Sequence, residues 1–141
     1  FSDGKDLEVI LSELGNLDYE ERWILQSVQV STGDNQKPTA SVEVKDKDGN
    51  IYNDAANGDG PIDSICKAID RIVKVDNQLT EYRVKSVTEG IDAQGEVSIR
   101  ILANGQSFVG NAAHTDILVA SARSYMNAIN KLIVYNMRRE K

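Results

Sequence analysis

Hydrophobic and polar positions in the first half of the chain alternate in three short stretches and then change to a helical period. Residues 23–30, 39–44 and 51–55 are rich in β-formers and carry apolar side chains at every second position, which predicts three strands. The polar stretch 31–38 is expected to be a loop. Apolar residues then recur at three- and four-residue spacing, which predicts a helix over about 61–73.

The second half of the chain repeats this order. Alternating apolar residues predict strands over 82–88 and 96–102, and a short return strand over 108–110. Small residues follow over 110–116, where we expect a second loop. A helix is then predicted from Ile117 to about Leu132, because its apolar side chains return at helical spacing.

The two halves share residues at their turns and helix starts as well as their order of elements. Gly49 and Gly105 each lie in a dipeptide typical of a β-hairpin turn. Asp63 and Asp116 are expected to correspond as aspartates in the first turns of the two helices. An internal repeat of three strands and one helix favours an α+β fold of two βββα units related by a pseudo-twofold axis.

The repeat also suggests how the chain is divided. The two units are expected at about 22–75 and 80–135, within a main domain over 20–141. Residues 1–16 carry leucine and isoleucine at helical spacing and are interpreted as the end of a preceding module.

A glycine-containing loop before the first predicted helix is the main candidate for binding chemistry. Pro61 suits the first helical position, and Gly58 and Gly60 allow close approach of the backbone to a ligand. Free N–H groups at such a helix start suit a carboxylate, whereas Asp59 and Asp63 would repel a phosphate. The pattern indicates a zwitterion such as a free amino acid. The alternative is an ordinary capped turn that binds nothing.

Composition and charge exclude several classes of function. The net charge of −6 argues against nucleic acid as a partner, and no apolar run approaches the ~20 residues of a membrane helix. The single cysteine, Cys66, falls in a helical pattern, so it is interpreted as a core residue in a reducing cytoplasm. With His114 as the only histidine, we find no catalytic constellation and no metal site.

Several stretches, in order and with regular spacing over about residues 20–133, carry a family resemblance. They are 56–63 with 67–69, Tyr82 with 90–97, and Gly110 with 115–125 and 127–130. These stretches resemble the C-terminal regulatory domain of 2-isopropylmalate synthase. Citramalate synthase is the close relative that shares this domain.

The resemblance implies a role in a larger enzyme. The parent enzyme of the family condenses acetyl-CoA with 2-oxoisovalerate on a barrel that uses a divalent metal, and the regulatory domain dimerises and binds leucine as feedback inhibitor. Residues 1–16 would then end the linker subdomain, and the barrel would precede them in the same chain. This stretch of chain would be a catalytically silent fragment without a cofactor, and its partners would be the effector, the barrel and a second copy.

The resemblance also implies which residues bind the effector. From residue type, backbone N–H groups at the helix starts would hold its carboxylate, and loop carbonyls or an aspartate, Asp59 first, its ammonium group. Ile62, Ile117 and the small alanines would shape a pocket for its branched side chain. The candidate effector-binding residues are Gly58, Asp59, Gly60, Pro61, Ile62, Tyr82, Asn111, Ala112, Ala113, Thr115 and Ile117.

Three hypotheses remain open from the sequence. The first is a leucine-binding regulatory domain of 2-isopropylmalate synthase. The second is an isoleucine-sensing domain of citramalate synthase, since one methylene changes binding by only ~1–3 kcal/mol. The third is a purely structural dimerisation module, and a free-standing enzyme is disfavoured because acid, base and metal-binding residues are missing.

Overall fold

The computed structural model describes residues 22–33, 36–86 and 94–139. Within them the chain forms two βββα units, which confirms the predicted α+β fold. The first unit contains β1 (Trp23–Gly33), β2 (Gln36–Asp46), β3 (Ile51–Asn57) and α1 (Pro61–Val73). The second contains β4 (Gln78–Ser86), β5 (Gly95–Ala103), β6 (Gln106–His114) and α2 (Ile117–Arg139).

Each unit has its own antiparallel sheet, with strand order β1-β2-β3 in the first and β4-β5-β6 in the second. The repeat extends to an irregularity in the pairing of the first strand. β1 carries a register shift against β2 between Leu25 and Ser27, and β4 carries one against β5 between Leu79 and Glu81. Gly49 and Gly105 both have positive φ (91° and 75°), which confirms the two predicted hairpin turns.

The core lies between the inner faces of the sheets and the two helices. α1 contacts all three strands of the first sheet, whereas α2 contacts β5 and β6 of its own sheet and also β1 and α1. α2 therefore packs against both units. The strand positions that form the centre of the core are Ala40, Val42 and Val44 of β2 and Val97, Ile99 and Ile101 of β5.

A buried asparagine ties β1 to α2. Asn130 is 1% exposed, and its Oδ1 accepts hydrogen bonds from the backbone N–H groups of Arg22 (3.1 Å) and Trp23 (2.9 Å). Its Nδ2 donates to the Trp23 carbonyl oxygen at 2.8 Å. The side-chain amide thus satisfies the backbone at the start of β1, and it links the second unit to the first.

The first predicted loop is shorter than its polar composition indicates. β1 continues to Gly33 and β2 starts at Gln36, so most of the stretch 31–38 is strand. Ser31 pairs with Thr39, and Gly33 with Gln36. The prediction was wrong because backbone pairing between two strands of a hairpin needs no apolar side chains. The solvent-exposed end of a hairpin therefore has the polar sequence of a loop.

The second predicted loop is also mostly strand. β6 runs through His114, so residues 110–114 are not loop, and only Thr115 and Asp116 separate the strand from α2. The small residues there allow close packing. A Cβ on Gly110 would lie 1.8 Å from the Ser124 carbonyl oxygen and 2.6 Å from the Ala128 nitrogen, so the strand meets the helix backbone at this position.

Other predicted elements agree to within a few residues where they are described. The first helix spans 61–73 as predicted, and α2 continues to Arg139, seven residues past the predicted end. The predicted strand over 82–88 begins earlier, at Gln78, and its end lies outside the described residues. Residues 1–16 also lie outside them, so the preceding module and the domain boundaries stay predictions.

Candidate functional site

The start of α1 is a helix terminus without a side-chain cap. Its N-cap is Gly60, in an extended conformation (φ −155°, ψ 173°), and Pro61 occupies the first helical position. Because proline has no N–H, the open donors of this first turn are the backbone N–H groups of Ile62 and Asp63. No side chain caps the terminus, and a Cβ placed on Gly60 would meet nothing within 4 Å. The terminus is therefore accessible to an anionic group.

The loop before α1 is held by its own backbone and by one carboxylate. The Gly58 N–H donates to the Pro38 carbonyl oxygen (3.1 Å), and the Asp59 N–H donates to Asp63 Oδ2 (2.9 Å). The Asp59 N–H, and then the Lys67 ammonium at 3.1 Å, lower the pKa of Asp63. Asp63 therefore fixes the loop as a carboxylate whose charge is matched by Lys67.

Gly58 and Gly60 have different structural roles in this loop. Gly58 is buried, and a Cβ there would lie 2.5 Å from the Ser64 nitrogen, so the loop packs directly onto the helix start. Asp59 is 86% exposed, with its carboxylate 3.9 Å from the Lys37 ammonium. Asp59 thus precedes the uncapped helix start in the chain, and its exposed carboxylate lies near a cationic group, the Lys37 ammonium.

The N-terminus of α2 has a side-chain cap, whereas that of α1 has none. Asp116 Oδ1 accepts a hydrogen bond from the Leu118 N–H at 2.8 Å, which caps the helix. The Asp116 N–H donates to His114 Nδ1 at 2.9 Å. Asp116 precedes α2, whereas Asp63 lies inside the first turn of α1, so the predicted correspondence of these aspartates was wrong.

Tyr82 and Ile117 lie together at the start of α2. The Tyr82 hydroxyl and Ser121 Oγ are 2.8 Å apart, and Ser121 Oγ donates to the Ile117 carbonyl oxygen at 2.7 Å. The serine proton is used in that bond, so Tyr82 is the donor to Ser121. The Ile117 side chain packs over Gly95. These two candidate residues are therefore held by the second unit, while residues 58–62 are held by the first.

The remaining candidate residues lie on β6 and just after it, instead of in one loop. Asn111 and Ala113 are exposed strand positions, and Asn111 Oδ1 accepts a hydrogen bond from Ser98 Oγ on β5. Thr115 is exposed in the short turn before α2. Ala112 points to the opposite side of the strand and lines a cavity between the two units.

That cavity was not anticipated from the sequence. It has a volume of about 300 Å³ and is lined by the start of β1, by β6 and by α2. No local pattern could have indicated it, because its walls come from strands and a helix that are about 90 residues apart. Its lining includes Trp23, Leu25, Ala112, Arg123, Met126 and Asn127.

Comparison with known proteins decides the family. Residues 3–133 match the family described as LeuA allosteric (dimerisation) domain. The chain belongs to this family. The resemblance noted from the sequence is thereby confirmed.

Relatives of the chain are named 2-isopropylmalate synthase. That of Microcystis aeruginosa is 47% identical over 138 residues, which is 97% of this chain and 26% of that protein. That of Gloeobacter violaceus is 50% identical over 127 residues (90% and 23%), and that of Gloeothece citriformis 55% over 108 residues (77% and 20%). The chain spans about a quarter of the length of the curated relatives it matches.

Two further observations on chemistry concern the described part of the chain. There, no group of three or more His, Cys, Asp or Glu side chains could hold a metal ion, and no helix is long and apolar enough to cross a membrane. Burial raises the pKa of the Cys66 thiol to about 12. Cys66 is therefore an unreactive packing residue, as predicted.

A polar cluster joins the two helices and the segment between the units, and no local sequence pattern predicts it. The Tyr125 hydroxyl, on a side chain that is 1% exposed, donates to Asp70 Oδ1 and contacts the Asn77 side chain (3.1–3.2 Å). Burial raises the pKa of Asp70, and the hydrogen bonds from Tyr125 and Asn77 oppose that rise. Burial and then Asp70 raise the pKa of Tyr125. The cluster therefore joins α1 to α2 at the cost of a desolvated carboxylate.

Replacing Asp70 by asparagine should change how stability depends on pH. Because its folded-state pKa is raised, Asp70 keeps its proton above pH 3.8 while the unfolded chain loses it, so its contribution to stability falls as pH rises through that window. Asp70→Asn removes this loss. Urea denaturation at pH 3.5 and 7 should show the variant gaining stability relative to the parent chain at the higher pH.

The lowered pKa values of Asp46, Asp54, Asp63 and Glu81 act in the opposite direction, since their contribution is lost as pH falls. These groups are present in both proteins and cancel in the difference. An equal stability difference at the two pH values would contradict the role assigned to Asp70.

Proposed function

We propose that this chain is the allosteric regulatory domain of a 2-isopropylmalate synthase, that it binds leucine for feedback inhibition, and that it contributes to homodimerisation. In this proposal a catalytic barrel in the same polypeptide condenses acetyl-CoA with 2-oxoisovalerate in the cytoplasm with the help of a divalent metal. The domain itself needs no cofactor. Family membership supports the regulatory role, and the open start of α1 supports an amino-acid effector.

The open helix start matches the polar end of an amino acid. The N–H groups of Ile62 and Asp63 would receive the α-carboxylate, which the helix dipole favours. Asp59, exposed in the loop before them, would receive the ammonium group. Since Lys67 pairs with Asp63, the carboxylate of Asp63 is screened from the ligand. The half-buried Ile62 would contact the aliphatic side chain, whose burial is worth about 1.5–3 kcal/mol.

The difference between the two helix starts supports a stoichiometry of one effector per chain. α2 is capped by Asp116, so only α1 offers an uncapped terminus among the described helices. We therefore expect one effector per chain instead of two at pseudo-symmetric positions. Feedback inhibition then requires that leucine bind one conformation of the whole enzyme better than another.

Calorimetric titration with leucine, isoleucine and valine tests the proposal. One mole of leucine per mole of chain, bound more tightly than isoleucine, is the expected result. Preference for isoleucine would instead indicate a citramalate synthase domain. A folded sample that releases no heat with any of the three would leave a structural dimerisation module.

Two neighbouring glycines separate binding from folding in this test. Gly60→Ala places a methyl group in open space at the helix start, where the carboxylate of leucine is expected. The affinity for leucine should therefore fall, while the free energy of unfolding should change by less than about 1 kcal/mol. Gly58→Ala drives a methyl group into the Ser64 backbone, so stability should fall. Unchanged leucine affinity in Gly60→Ala and in Asp59→Ala would refute the placement of the site.

A further inference from the structure

The inner face of β4 is exposed at two of its apolar positions, although the matching positions in the first unit are partly buried. Leu79 and Val84 are 38% and 49% exposed. When β1 and β4 are aligned on their shared register shift, Leu79 corresponds to Leu25 and Val84 to Val30. Leu25 and Val30 are partly buried and pack against the core. The two sheets therefore differ in how far the apolar side chains of their first strands, β1 and β4, are buried.

The two first strands differ in the helices that reach them. Both α1 and α2 contact β1, and the α2 residues beside β1 include Met126, Asn127 and Asn130, well before the C-terminal end of that helix. Among the described elements, the backbone of β4 lies beside β5 alone. The half-buried Tyr82 reaches α2 through the contact of its hydroxyl with Ser121, but Leu79 and Val84 on either side of it stay exposed.

The other face of β4 is suited to water. Glu81 and Arg83 form an ion pair there, Glu81 also pairs with Arg100 of β5 at 3.3 Å, and Lys85 is exposed. Charged side chains on an edge strand discourage pairing with other proteins from that side. The apolar strip of Leu79, Tyr82 and Val84 is thus the side of β4 that is suited to burial.

We propose that this strip is a surface through which two copies of the chain associate. This inference rests on the dimerisation in the proposed function and adds the face of the chain through which the two copies would meet. The family is described as a dimerisation domain, and an apolar strip that meets its own twin across a twofold axis forms a closed, self-complementary interface. Burial of Leu79 and Val84 by the second copy would give them in the dimer the cover that Leu25 and Val30 have within one chain.

The test compares two exposed strand positions by sedimentation equilibrium of the whole chain. Val84 and Ile51 are both 49% exposed, but Ile51 lies on β3 of the other sheet. The parent chain and Ile51→Lys should sediment at twice the 15.5 kDa of the monomer. Val84→Lys should raise the dimer dissociation constant by at least about tenfold, or give a monomer.

Each outcome decides the proposal. A Val84→Lys chain that dimerises like the parent overturns it, because the strip is then covered by something else, such as residues 1–21 of the same chain. A parent chain that is monomeric overturns it together with the dimerising part of the proposed function. Leucine titration of the same samples is independent: failure to bind leucine removes the effector and leaves the interface standing.

Discussion

Replacing Gly110 by alanine should destabilise the domain more than any other glycine-to-alanine change in the described strands. The added Cβ would lie 1.8 Å from the Ser124 carbonyl oxygen and 2.6 Å from the Ala128 nitrogen, and both atoms belong to the α2 backbone. A helix backbone cannot move aside as a flexible side chain does. We expect a loss of about 3 kcal/mol or more in the free energy of unfolding, the upper end for overpacking.

Gly33→Ala provides the matched control for this measurement. Gly33 is also a strand glycine, but a Cβ there meets only the Gln36 side chain at an ordinary 3.5 Å. Urea denaturation should therefore place Gly33→Ala within about 0.5 kcal/mol of the parent chain. If Gly110→Ala instead unfolds like the parent chain and loses only leucine binding, the small residues of β6 serve the ligand and not the helix contact.

The second large effect is expected for Asn130→Leu, which removes the amide that ties β1 to α2. Leucine conserves the volume but leaves the Arg22 and Trp23 N–H groups and the Trp23 carbonyl oxygen without this partner. A buried polar group that loses its partner costs about 1–3 kcal/mol. We expect a loss of about 3 kcal/mol in unfolding free energy, because the backbone at the start of β1 loses all three bonds.

Fluorescence of the single tryptophan can show whether loss of the Asn130 hydrogen bonds loosens the start of β1 locally. Trp23 is the only tryptophan in the chain, so its fluorescence reports on the start of β1. Its emission should shift to the red in Asn130→Leu at denaturant concentrations where far-ultraviolet circular dichroism is still native. Asn136→Ala, on the same helix but outside the Trp23 cavity, removes one hydrogen bond from Asn104 and should leave the emission unchanged. Coincident transitions by both probes in Asn130→Leu would show that Asn130 is not a local tie.

The contrast between the two units shows how a repeat can acquire different roles. The sheets are alike down to the register shift in their first strands, but Asp116 caps α2 while Gly60 leaves α1 uncapped. Both helices contact β1, whereas the backbone of β4 lies beside β5 alone among the described elements, and Leu79 and Val84 of β4 are exposed. One unit thus carries the open helix start and the other carries the exposed Leu79 and Val84, so the effector binding and the association proposed above would use different units of one domain.

The amino-acid sequence by itself determined the order of elements, the repeat and the family. Alternation and helical spacing are local consequences of side-chain direction, so the first helix was predicted at its observed limits, 61–73. Gly49 and Gly105 marked the hairpins because a positive φ restricts the residue type. These features depend on residues close in the chain, and a single sequence therefore contains them.

Only the tertiary structure decided what the small and polar residues do. Gly110 looked like a loop residue and is a strand position pressed against α2, because a helix that approaches from elsewhere in the chain requires the absence of a side chain. Asn130 and Asp70 looked like ordinary helix residues, and each acquires its role from a partner 55 to 108 residues away. Such contacts depend on how helices cross sheets, and no local spacing in the sequence specifies that geometry.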